Sequence, residues 1–181
     1  MDRAVGWCGL DDLKTTNRSA FLTSIRWYHC FHGVGHAAYI LAVLRAMPSA
    51  LRERYDACHP LARRSVPLEL DDVSAALRTC ELAPVPELRA LCASGLFHSR
   101  ATLLRPPSAD IAAGRVPWHH VACAGLPYAA VCYSNIFLDQ LGEGKPLRAQ
   151  RCSALRTMCT GLPFEEALHC ISGLAPHLHY E

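Results

Sequence analysis

WYHCFHGVGHAA, the stretch from Trp27 to Ala38, packs three histidines, one cysteine and two glycines into a dozen positions. On a helix at 100° per residue, with His29 as zero, His32 falls at about 300° and His36 at about 340°. The three imidazoles therefore share one arc. Leu22, Ile25, Ile40, Val43 and Met47 fall on the same arc, and a helix turns its apolar stripe inward. The stretch predicts one long helix, about residues 19–47, bent near Gly33 and Gly35, with its histidines directed at the core.

Imidazoles spaced i, i+3 and i+7 on one face can offer two or three nitrogens to a single ion, and neutral imidazole suits zinc, copper and iron. His29, His32 and His36 are the first candidate ligands, and His98, His120 and His169 on other segments are candidates to complete the set. Three histidines would leave one position open, which is the arrangement of a catalytic rather than a structural metal. The His32–His36 spacing matches that of HExxH helices, but Gly-Val-Gly fills the interval and supplies no general base. A zincin is excluded. Copper or zinc is the expected ion, with haem held between two core histidines as a lesser alternative. The competing reading is that each histidine only bonds a neighbouring helix, and for a single histidine that is the simpler account. Three buried imidazoles must all be satisfied at once, which weakens it here.

The rest of the chain sets the context. With 181 residues and 51% apolar content it can bury a sizeable core, and disorder is not expected. A net charge of +2, with its basic residues scattered, gives no nucleic-acid footprint. No apolar run is long enough to span a membrane. A protein partner and the oligomeric state are left open. The start, MDRAVGWCGLDDLK, lacks the pattern of a signal peptide. Ten cysteines and the Asn17-Arg18-Ser19 sequon nevertheless favour a secreted protein or an oxidising compartment, its leader absent from this chain, over a cytoplasmic one.

No window alternates as a half-buried strand does. Asp71 or Asp72 can cap a helix over 73–82, Pro86 can open another, and RPPSADIAAGRVP, 105–117, reads as a surface loop or hinge. Residues 118–141 are helical with a break at Pro127, GEGKP is a turn, and helices over 147–160 and 164–174 precede a His177–His179 tail. The sequence predicts a single all-α domain over 1–181 with seven or eight helices. Cys30-x-x-Gly33 recurs as Cys92-x-x-Gly95 and Cys170-x-x-Gly173, with shorter forms at Cys123 and Cys159. The expected architecture is thus an irregular αα-hairpin repeat array, solenoid-like with a right-handed turn or a compact bundle, stapled by cysteines.

In such hairpins Cys80 can face Cys92, and Cys159 can face Cys170; Cys8–Cys30 and Cys58–Cys80 are rival pairings. No C-x-x-C occurs, which removes thioredoxin-like chemistry, zinc ribbons and c-type haem attachment. The plan is similar to that of cysteine-rich helical-repeat proteins, although CFHGVGH has no counterpart there. Two functions remain: a metal-binding protein, open to being a metalloenzyme, and a disulfide-stapled helical module that binds another protein without catalysis.

Overall fold

The computed structural model describes residues 25–49, 71–103, 122–141, 153 and 156–178. They hold five helices: α1 (Ile25–Ala46), α2 (Val73–Cys80), α3 (Pro86–Leu103), α4 (Ala129–Leu141) and α5 (Phe164–Leu178). Residues 156–159 are also helical, and no strand occurs among the described residues. The chain gathers into two compact units that part within α3, between Ser99 and Arg100. The 105–117 loop and the GEGKP turn lie outside the described residues.

In the first unit α1 runs through Gly33 and Gly35 without interruption. Its buried residues are Phe31, Gly35, Ala38, Tyr39, Ala42 and Val43, with Met47 buried just beyond its end, while His29, Gly33, Ala37 and Leu41 are exposed. The buried stripe is rotated by roughly 100°, one residue's turn, from the arc read in the sequence. His32 and His36 consequently sit at its margin, half-buried, and His29 lies beyond it. The partners of α1 set this rotation. Phe31 clusters with Ala83 and Leu88, and the Tyr39 hydroxyl donates to Asp71 at 2.9 Å.

Asp72 caps α2, its carboxylate accepting from the Ala75 amide at 2.9 Å, which satisfies a donor that the first helical turn leaves unpaired. The helix ends two residues before the predicted limit, at Cys80. The turn into α3 is closed by Arg89, whose Nε donates to the Ala83 carbonyl at 2.8 Å. Pro86 opens α3, where its missing N–H costs nothing. Cys80 and Cys92 are bonded, with Cα atoms 5.4 Å apart. That pairing excludes Cys58–Cys80. Cys30 is also disulfide-bonded, and its rival partner Cys8 lies outside the described residues.

Helices α1 and α3 meet backbone to backbone. A methyl group on Gly35 would strike the Cys92 carbonyl and the Leu96 amide, and one on Gly95 would strike the His32 carbonyl. Each glycine is thus the space into which the other helix fits. Gly33, the residue in register with the cysteine repeat, meets nothing within 4 Å. The packing glycine of α1 is Gly35.

The second unit also carries disulfides and a glycine contact between helices. Cys159 and Cys170 are bonded at a Cα separation of 5.7 Å, as predicted, and Cys123 and Cys132 form a further bridge, also at 5.7 Å. Helix α5 packs on α4, and a methyl on Gly173 would strike the Ala130 carbonyl. Glu166 ties the unit together: it accepts from the Gly125 amide at 2.9 Å and from the Tyr133 hydroxyl at 3.2 Å. Burial first, and then the Glu166 charge and hydrogen bond, raise the Tyr133 phenol above its ordinary pKa. Helix α5 continues through Pro176 to Leu178, so His177 belongs to the helix and not to a tail. His179 lies outside the described residues.

Two glycines of α1 should respond with opposite sign. Gly35→Ala forces α1 from α3 and should destabilise the protein by about 1–3 kcal/mol or more. Gly33→Ala, exposed on a continuous helix, should stabilise it by about 0.5–1 kcal/mol. Urea unfolding of both variants measures the difference. Removing the Cys80–Cys92 bridge by a double serine substitution should cost about 2–4 kcal/mol in the same assay.

Candidate metal centre

The glycine crossing is what brings the histidines together. On α1 the residues facing it are His32, Gly35 and His36, and on α3 they are Gly95, His98 and Ser99. Both sets run i, i+3, i+4 along one helix face. Because Gly95 lies against the His32 carbonyl, His98 reaches the α1 imidazoles one turn further on. Ring centroids are 4.7 Å apart for His32–His36, 5.1 Å for His36–His98 and 5.7 Å for His32–His98. One nitrogen from each ring lies within 4.8 Å of the others. Tetrahedral ligands about 2.0–2.1 Å from a zinc ion stand about 3.3 Å from one another, so modest ring rotations close the set.

The environment favours neutral imidazole. Burial, followed by His36, His98 and His29, lowers the His32 pKa from 6.5 to about 4. Burial and then His98 lower that of His36. Metals bind the neutral ring, so neither group needs to lose a proton at neutral pH to act as a ligand. Buried Ser99 holds His36, its Oγ 2.6 Å from Nδ1. With Nδ1–H donating to that oxygen, Nε2 is left as the ligating atom, the usual arrangement behind a metal-bound histidine. On the other side Tyr28 stacks on His32, the ring centroids 5.3 Å apart and the planes 14° from parallel. Among the described residues, Nδ1 of His32 is the buried side-chain polar atom left with no hydrogen-bond partner. An orphaned buried nitrogen is costly, and an ion coordinated by that nitrogen would satisfy it.

Of the six histidines the sequence nominated, His32, His36 and His98 converge and could hold a metal ion. His29 is exposed, one turn earlier on α1, in edge contact with Tyr28, and stands outside the cluster. His169 is exposed on α5, in the second unit. His120 lies outside the described residues. Sequence reasoning overlooked Ser99 as a partner of His36; its only trace was the Gly95-x-x-x-Ser99 spacing on α3.

The ring shifts carry a pH signature for the metal-free protein. The unfolded chain takes up a proton on His32 near pH 6.5, whereas the folded chain resists until about pH 4. The lowered pKa means that the His32 contribution to stability is complete above pH 6.5 and is lost as pH falls toward 4. Denaturation midpoints at pH 7.5, 6 and 5 should decline less steeply in His32→Gln than in the parent. Compared with models of known protein families, with curated proteins and with solved structures, the chain matches none.

Proposed function

We propose that the protein binds copper or zinc through His32, His36 and His98, with a fourth coordination position open, as a metalloenzyme would need. The observation that carries this reading is the buried, unpartnered Nδ1 of His32 inside a three-imidazole cluster whose second ring is held by a buried serine. A second observation bears on the packing alternative. In the other unit, the glycine crossing at Gly173 meets Ala130. The positions that match His32, His36 and His98 there are Ala130, Ser134 and Pro176. Tyr133 stands there at the position that matches Gly35, so the contact is glycine-lined on one side only, and it closes without histidine. That recurrence also supports reading the two units as drifted copies of one αα-hairpin, with the ligands kept in one copy.

The disulfides favour a secreted protein or another oxidising compartment. They also favour the alternative reading, a cysteine-stapled module that binds a protein without catalysis. An exposed apolar row on α5, Phe164, Leu168 and Ile171, gives that alternative its specific support.

Elemental analysis of tag-free protein should find one copper or zinc per chain. His32→Ala should lose it, while His29→Ala should keep it at full occupancy. Ser99→Ala should weaken affinity by about 10–100-fold. Metal-free protein whose stability is unchanged in His32→Ala would end the metal reading and leave the interaction module.

A further inference from the structure

Three imidazoles supply nitrogen but no negative charge. Among the described residues no carboxylate or thiolate joins His32, His36 and His98. A divalent ion held by them would keep its full charge of two. Three donors also fill only three of four tetrahedral positions. The cluster is not sealed, since His98 is exposed and His32 and His36 are half-buried. The remaining position is therefore reachable from solvent.

Building on the metal reading, we propose that the loaded centre is a receptor for a small anion, with a monodentate carboxylate or a comparable oxygen or nitrogen anion as the fourth ligand. A neutral ligand offers a lone pair only, whereas an anion also offsets the uncompensated charge of the ion, in a site where half-buried rings reduce screening by water. Tyr28, stacked on His32, flanks the set, and His98 is its exposed member. The site thus selects by charge and small size, not by a deep enclosing cavity.

Cobalt(II) is the probe for the test, because it takes tetrahedral nitrogen sites and reports its coordination in the visible spectrum. Protein loaded with cobalt, its stoichiometry measured on the same sample, is titrated with azide, with acetate and with acetamide, the neutral isostere of acetate. The expected result is one cobalt per chain and a saturable shift of the visible bands with azide and acetate. Acetate should bind at least about tenfold more tightly than acetamide, and metal-free protein should bind neither. Cobalt at full stoichiometry with no spectral response to any anion would mean that the protein fills the fourth position; that outcome overturns this inference and leaves the metal reading standing. Equal affinity for acetate and acetamide overturns the charge argument in the same way. Failure to hold cobalt, copper or zinc removes both.

Discussion

The arrangement of the first unit depends on one contact, the direct meeting of the α1 and α3 backbones at Gly35 and Gly95. Helices usually pack about 8–10 Å apart, with side chains between them. Here the side chain is missing on both sides, and the carbonyls of His32 and Cys92 occupy the places where methyl groups would project. The close approach gives up apolar burial at the crossing. In exchange, the side chains one turn away are brought within reach of one another. His32, His36 and His98 belong to that turn, and Ser99 is positioned by the same geometry.

Gathering three titratable rings has an energetic consequence. Three protonated imidazoles with centroids about 5 Å apart would repel, and two of them are partly desolvated. Burial and the neighbouring rings therefore hold His32 and His36 below the ordinary imidazole range. His36 finds a protein partner in Ser99, but the buried nitrogen of His32 finds none. The second unit provides an internal comparison: its crossing at Gly173 runs over Ala130, with no comparable polar demand. What distinguishes the two is the content of the helix faces, since both are stapled by disulfides and both use a glycine for close approach.

Much of this organisation was legible in the sequence because it is local. Asp72 and Pro86 mark helix starts by their own chemistry, and Cys80 and Cys92 lie across a short turn that geometry almost obliges them to close. The His32–His36 pair follows from helical spacing, and His98 from its offset after a cysteine and a glycine. The orientation of α1 was not legible. Its apolar residues are spread around the helix, with Phe31, Tyr39, Ile40, Leu41 and Leu44 all in play, so periodicity alone chose an arc rotated from the buried one. The deciding feature was the space at Gly35, and that space has meaning only once α3 is there to fill it. The Cys123–Cys132 bridge escaped notice because its turn is shorter and its glycine stands closer to the first cysteine. Ser99 was missed because its role depends on a residue 63 positions away.

Cys92 holds α3 in two directions. Its sulfur is joined to Cys80 at the end of α2, and its carbonyl is the surface on which Gly35 rests. The first tie closes a span of 12 residues; the second recruits a helix far upstream. Short closures cost less chain entropy than long ones, which gives assembly a natural order. The α2–α3 hairpin can form as a local piece, and α1 can dock only after the Cys92 carbonyl and the Leu96 amide hold their helical spacing. The three-ring cluster thus depends on the longer of the two closures, the one that sets α1 against a hairpin held within itself by the Cys80–Cys92 bond.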